Sequence, residues 1–345
     1  MRYIGSKTAS LPILQKTLAR LAPGATSICD PFAGTCSVSS FMKRQGYSVS
    51  TGDVLAASFA IQQASLAVNR HPAFRELLKS KALKLSDKPA HARVIDHLNA
   101  MRGTHGFISE EYSLAGSAGR LFFTQENANK IDAIRQQIKR WSVDCLITEY
   151  EAAFLTAALI TSADVVANTA GTYYAHLKGL TRKASKPLAL KSVPIFSNNQ
   201  KNSCRRGNAI DTVSACYADI LYLDPPYNER DYERYYHLPE TIALGDEPEV
   251  IGKSGVPRYR RGEPSDFCIQ SRANDAFKRL ISKSSAKYYL VHYTPEGLIS
   301  HETIMTTLRH IGSTKYRDVQ VRKYSTESAS SSSGAWHRIY TCTRH

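Results

Sequence analysis

The stretch Ser27-Ile28-Cys29-Asp30-Pro31-Phe32-Ala33-Gly34-Thr35-Cys36-Ser37 decides the fold. Ser27-Ile28-Cys29 reads as a short buried strand that ends on an acid, Asp30. A glycine-containing loop follows, then a helix expected to run to Lys43. Gly46 opens a turn, and Tyr47-Ser48-Val49-Ser50-Thr51 is a second strand closing on Gly52-Asp53. This β-loop-α-β order is the opening of a doubly wound α/β sheet. Upstream, Leu11, Leu14, Leu18 and Leu21 fall at helical spacing until Pro23-Gly24 breaks the helix.

Such a sheet holds an adenosine in a defined way. A loop glycine lets the backbone approach the ligand, and an acid at the next strand end takes the ribose hydroxyls. Asp53, 23 residues after Asp30, fills that place. The loop is not G-x-G-x-x-G and the chain has no G-x-x-x-x-G-K-[ST], so dinucleotide and nucleoside-triphosphate binding are poorly supported. One glycine behind Asp30 suits a ligand with an ammonium group and no pyrophosphate, such as S-adenosylmethionine. A purely structural strand-turn-helix is the alternative.

The most telling residues lie further on. Ile220-Leu221-Tyr222-Leu223 is an apolar strand that ends in Asp224-Pro225-Pro226-Tyr227. Asp224 accepts hydrogen bonds, and proline has no N–H and a fixed φ, so the Pro225 carbonyl points outward as a second acceptor. Tyr227 adds a flat apolar face. Two acceptors beside a stacking ring describe a pocket for the amino group of a nucleobase.

The rest of the chain sets bounds. Its 345 residues exceed a typical single domain, and a formal net charge of +15 points to a polyanionic partner. No apolar stretch reaches the ~20 residues of a membrane helix, and Met1-Arg2-Tyr3-Ile4-Gly5-Ser6-Lys7 is not a signal peptide. The seven cysteines contain no C-x-x-C pair and the eleven histidines show no ligand spacing. Both argue for a reducing cytoplasm and against a metal. Residues 71–145 turn polar and read as an inserted, mostly helical region; 1–70 and 146–345 would form the catalytic domain. Residues 146–168 are helical, 245–265 read as a mobile basic loop, and Tyr288–Tyr293 is a strand. Val319–Tyr324 is expected to pair with His337–Cys342 across the serine run 328–334.

Taken in order, Tyr3-Ile-Gly-Ser-Lys7, Asp30-Pro-Phe-Ala-Gly-Thr35, Gly52-Asp53, Asp224-Pro-Pro-Tyr-Asn228 and Tyr293-Thr-Pro-Glu-Gly297 resemble the Dam-like, D12-class adenine-specific (N6) DNA methyltransferases. Ala167-Asn-Thr-Ala-Gly-Thr-Tyr173 with Leu177-Lys178, and Arg234-Tyr-Tyr-His237, resemble restriction-modification members of that family. The resemblance implies a Rossmann-like class I S-adenosylmethionine-dependent methyltransferase sheet carrying an inserted target-recognition region. It implies cofactor contacts from Tyr3, Lys7, Asp30, Phe32, Gly34, Asp53 and Asp224. Asn208 stands where the family usually has an acid against the cofactor adenine, and Cys36 where its loop commonly has a second glycine. The substrate would be double-stranded DNA, and a cognate restriction endonuclease is a possible partner.

In that setting Asp224 and the Pro225 carbonyl accept from the adenine amine and localise its lone pair for in-line attack on the sulfonium methyl. Tyr227 stacks on the rotated base. Arg234 and Tyr235 at the pocket mouth, and Lys253, Arg258, Arg260 and Arg261 in the basic loop, are the candidate DNA contacts. An RNA base methyltransferase (N6-adenine or N2-guanine) is the nearest alternative. A cytosine-N4 enzyme more often has Ser at the Asp224 position, and a protein-glutamine enzyme would resemble Asn-Pro-Pro-Tyr. A silent DNA-binding scaffold is the reading from a different class.

Overall fold

The computed structural model describes residues 7–80, 83, 86–258, 264–321 and 335–345. Its strands are β1 (Ser27–Asp30), β2 (Ser48–Asp53), β3 (Ser203–Arg206), β4 (Ile220–Leu223), β5 (Val250–Ile251), β6 (Val256–Pro257), β7 (Tyr288–Tyr293), β8 (Gly312–Val321) and β9 (Ala335–Arg344). The chain divides into two compact units. One comprises residues 5–62, 196–231 and 262–345; the other comprises 1–4, 63–195 and 232–261.

The first unit holds a seven-stranded sheet of order β3-β2-β1-β4-β7-β9-β8. β1, β2, β3, β4 and β7 run parallel, and β9 is antiparallel to both β7 and β8. Strand order therefore reverses between β1 and β4, and ligands of open α/β sheets bind beyond the carboxyl ends at such a reversal. All four residues of β4 are buried, as expected of a parallel strand covered on both faces. Leu14 and Leu18 of the helix Leu11–Leu21 are buried, as their spacing predicts. On one face Leu221, Leu223, Tyr289 and Val291 join Phe277, Leu280, Ile304 and Leu308 of the helices Gln270–Lys283 and His301–Ile311 in a common core.

The expected C-terminal hairpin forms with a different register. His337–Cys342 pairs with Thr314–Val319, and only Val319 of the expected partner segment takes part. The reason is length: β8 begins at Gly312, immediately after a helix, so its alternation is hidden by that helix's last turn. The serine run lies outside the described residues.

The second unit is larger than the predicted insertion. Residues 71–145 do form helices, Arg75–Lys79, Ala90–Ala100, Phe107–Tyr112 and Gln125–Val143. The helix Glu149–Val166, assigned from the sequence to the catalytic domain, packs in this unit with Gln125–Val143 and His237–Leu244. Polar ties fix these segments. Asp132 accepts from the Ile108 and Ser109 N–H groups at 3.0 and 2.8 Å, and Arg135 Nη2 donates to the Asp246 carbonyl at 2.8 Å. Residues 245–258 are not an irregular loop, because β5 and β6 pair as a small antiparallel hairpin. The Tyr112 hydroxyl donates to the Gly255 carbonyl at 2.7 Å and the Arg120 guanidinium to that of Gly252, which pins the hairpin down.

Candidate active site

Three carboxylates stand at the strand ends around the reversal: Asp30 on β1, Asp53 on β2 and Asp224 just past β4. Asp30 Oδ2 accepts from the Ser39 hydroxyl at 2.6 Å, and its Oδ1 is buried with no hydrogen-bond partner among the described residues. Burial pushes the Asp30 carboxyl up to about 7; the charges of Asp224 and Asp53 act the same way, against the Ser39 hydroxyl and the Phe32 N–H.

Asp53 shapes the glycine loop. Its Oδ2 accepts from Gly34 N–H at 3.0 Å and its Oδ1 from Leu55 N–H at 2.9 Å. Gly34 has φ 51°, a conformation glycine adopts without steric cost. Gly52 lies so close to Thr212 that an added Cβ would collide with that side chain, so the second strand end needs this glycine too. Phe32 is half-buried and meets Phe267 edge-on, ring centroids 4.9 Å apart.

Lys7 carries the next link. Its ammonium lies 2.7 Å from Asp224 Oδ1, with side chains only 7% and 18% exposed. It is also 5.9 Å from the centroid of the Tyr227 ring, which is half-buried against the core. Burial raises the Asp224 carboxyl above its usual range and Lys7 opposes that rise. Pro225 is buried, and the Pro226 carbonyl accepts from the Tyr293 hydroxyl at 2.9 Å. Tyr293 Oη in turn accepts from Ile299 N–H at 3.2 Å. The edge predicted from Asp-Pro-Pro-Tyr is thus held from two sides, by a cation and by a buried phenol. Among the described residues no group of three His, Cys, Asp or Glu side chains is placed to hold a metal, and no helix is long and apolar enough to cross a membrane.

A family profile described as D12 class N6 adenine-specific DNA methyltransferase matches residues 3–306. The chain belongs to that family. It is 36% identical over 313 residues to Type II methyltransferase M.FokI of Planomicrobium okeanokoites, covering 90% of this chain and 47% of that protein. It is 30% identical over 348 residues to Modification methylase StsI of Streptococcus sanguinis, covering 100% of this chain and 52% of that one. Type II methyltransferase M.NlaIII of Neisseria lactamica is 33% identical over 323 residues, 93% of this chain and 90% of that protein. The chain thus spans about half the length of the first two relatives. The sheet order and its single antiparallel strand agree with the class I methyltransferase fold expected of the D12 class.

Two departures from the D12 pattern have physical answers. Cys36 caps the helix Ser37–Arg44 with φ 69° and ψ 23°, so the backbone keeps the left-handed conformation without the glycine that would adopt it freely. Asn208 caps the helix Ala209–Ser214: its Oδ1 accepts from Asp211 N–H at 2.9 Å and its Nδ2 donates to Asp211 Oδ2 at 2.6 Å. An acid is therefore present after all, one turn on, at Asp211.

The candidate DNA contacts divide. Arg234 is exposed and Tyr235 is half-buried; both belong to the second unit. Lys253 is exposed on the β5–β6 turn, whereas Arg258 pairs with Glu249 at 2.8 Å and is not the loose cation a mobile loop implied. Tyr3, Arg260 and Arg261 lie outside the described residues. Asn168, from the segment that suggested a family motif, closes a loop: its Nδ2 reaches the Leu121, Leu177 and Gly179 carbonyls, each at 3.1 Å. Sequence reasoning missed Asp211 and the pairing of Lys7 with Asp224. Only Asp211 left a local signal, since Asn208-Ala-Ile-Asp211 has the spacing of a helix start.

Proposed function

We propose that this chain transfers a methyl group from S-adenosylmethionine to N6 of an adenine turned out of duplex DNA. The observation that carries the reading is the Lys7–Asp224 ion pair beside Tyr227, at the sheet's reversal point.

The cofactor fits the residues present. The unpartnered, buried Asp30 Oδ1 suits an ammonium group, and Phe32 offers an apolar face. Each carboxylate oxygen has more than one acceptor site, so Asp53 can take ribose hydroxyls while it holds Gly34. Tyr3 and Asn208 join the cofactor set on the family pattern, with Asp211 beside Asn208. When bound, S-adenosylmethionine supplies an electrophilic methyl group on a sulfonium.

The protein's own part is positional and electrostatic. Asp224 and the Pro225 carbonyl accept from the two amine hydrogens, which draws the nitrogen toward tetrahedral geometry and frees its lone pair. Lys7 opposes the rise that burial imposes on the Asp224 carboxyl and so favours its acceptor form. Tyr227 stacks on the base, and Pro225 and Pro226 stiffen the loop that presents both acceptors.

DNA is held by the second unit, through Arg234, Tyr235 and Lys253, with Arg260 and Arg261 in the same role. Between Asp164 and Asp211 the sequence carries eight Lys and Arg and no acid, which supports a polyanionic partner. A cognate restriction endonuclease is the proposed biological partner. The test is incubation with S-adenosylmethionine and either duplex DNA or RNA, followed by nucleoside mass spectrometry. N6-methyladenine in DNA alone is expected; methylation confined to RNA or to another base would overturn the substrate.

A further inference from the structure

The helix Ala56–Ser65, which follows β2, is packed with small and apolar side chains: Ala56, Ala57, Ala60, Ile61 and Ala64 are all buried. Gln62 breaks that pattern. It is 0% exposed, its Nε2 donates to the Gly34 carbonyl at 3.3 Å, and its Oε1 is buried with no hydrogen-bond partner among the described residues. An apolar side chain of the same length would fill the space without the desolvation cost of an amide, so the bond to Gly34 is what the polar group contributes. Both residues belong to the first unit.

The other bonds of the glycine loop leave that carbonyl out. Cys36 N–H donates to the Ala33 carbonyl at 2.8 Å and closes a turn around Gly34 and Thr35. The Gly52 carbonyl holds Ala33 N–H at 3.1 Å, and Asp53 Oδ2 holds Gly34 N–H at 3.0 Å. Besides Gln62, the Gly34 carbonyl meets the Cys36 thiol at 3.9 Å, a weak donor. Glycine gains more backbone freedom on release than any other residue, so Gly34, at φ 51°, is where the loop would loosen first.

We infer that Gln62 is a positioning residue for the cofactor: by clamping the Gly34 carbonyl it holds the loop behind Asp30 in the shape that receives the amino-acid end of S-adenosylmethionine. Asp53 grips the N–H of Gly34 and Gln62 its carbonyl, so the glycine is fixed on both sides of its Cα. The two clamps differ in reach. Asp53 also serves the ribose, whereas Gln62 acts through the loop alone. Its influence is therefore confined to the end of the ligand that the loop and Asp30 face. Pre-organising the loop removes an ordering cost that the ligand would otherwise meet on binding.

This role of Gln62 rests on the proposed use of S-adenosylmethionine, and binding experiments separate it from the proposed transfer. Full-length wild type, Gln62→Met and Gln62→Asn are titrated with S-adenosylhomocysteine and with methylthioadenosine, which keeps the nucleoside but lacks the amino-acid end. Met matches Gln in length without a donor, and Asn keeps the amide but is one methylene too short to reach Gly34. Both variants are expected to bind S-adenosylhomocysteine roughly tenfold more weakly and methylthioadenosine within about twofold of wild type. Single-turnover transfer at saturating S-adenosylmethionine should stay at the wild-type rate. Ser58→Ala, at a buried position one turn earlier on the same helix face, should change neither affinity. Equal weakening toward both ligands would mark a general packing role, and no weakening a loop that holds itself; either result overturns the clamp. A Gln62-dependent affinity for S-adenosylhomocysteine in a protein that methylates no adenine would refute the proposed reaction and leave the clamp standing.

Discussion

The Tyr293 hydroxyl donates to the Pro226 carbonyl at 2.9 Å, so the end of β7 fixes the acceptor loop at the end of β4. Tyr293 is buried, and its hydroxyl also takes the Ile299 N–H. Tyr293→Phe would leave both groups short of a partner, which costs about 1–3 kcal/mol for buried polar groups. The expected result is a methyl-transfer rate roughly tenfold lower with cofactor affinity unchanged. Single-turnover rates and a cofactor titration measure the two; a wild-type rate would show that the loop holds its shape without the phenol.

Lys7 and Asp224 predict opposite consequences for two substitutions. Asp224→Ala should abolish transfer but bind S-adenosylmethionine within about tenfold, roughly 1.4 kcal/mol. Lys7→Met removes the cation that opposes burial, so the Asp224 carboxyl rises further and is protonated at higher pH. The acid limb of the rate profile should then move up in pH, with partial recovery on the alkaline side. Stability should fall, on the order of 3 kcal/mol for a broken buried pair. An acid limb that stays in place in Lys7→Met would argue that the ion pair does not tune the carboxylate.

Asp30 makes cofactor binding proton-linked. With its carboxyl at about 7, it is protonated below neutrality, and a neutral carboxyl does not pair with an ammonium. Affinity for S-adenosylmethionine should therefore be flat above about pH 8 and decline by up to tenfold per unit below about 7, with a proton released on binding. Calorimetry at two pH values in buffers of different ionisation enthalpy reads both effects. Asp30→Asn should remove the pH dependence.

At Cys36 the left-handed backbone costs about 1–2 kcal/mol for any residue with a Cβ. Cys36→Gly relieves that strain and loses a small buried side chain, so stability should change by less than about 1 kcal/mol and activity should persist. Cys36→Val places a branched Cβ in the same conformation and should cost at least about 2 kcal/mol. Urea melts of the two variants, compared with wild type, decide whether the loop conformation is imposed by the fold or chosen by the residue.

The positive charge predicts the salt response. DNA affinity should fall at least about tenfold between 50 and 200 mM salt, because each phosphate contact releases counterions. Anisotropy titrations across that range should give a linear slope on logarithmic axes; a flat line would remove the cations from the account.

The sheet's opening was legible because Asp30, Gly34 and Asp53 sit in one contiguous βαβ unit, where local pattern and topology coincide. The strand end from Asp224 to Tyr227 was legible for the same reason, since its residues are consecutive. Lys7 was visible as a family position, but its partner lies on a strand far along the chain, and no local pattern encodes that meeting. The helix Glu149–Val166 was legible as a helix, but it is apolar on most sides, and such a helix carries no local mark of the unit it belongs to.

The two long stretches of the second unit, 63–195 and 232–261, are separate in the chain and joined by ties such as Arg135 to Asp246 and Tyr112 to Gly255. A single exchange between genes of this family that replaced only the longer length would pair it with a foreign shorter one. Arg135 and Tyr112 would then face carbonyls they were not fitted to. Exchange of this unit as a working cassette therefore requires two coordinated exchanges, and chimaeras of it should carry both lengths together.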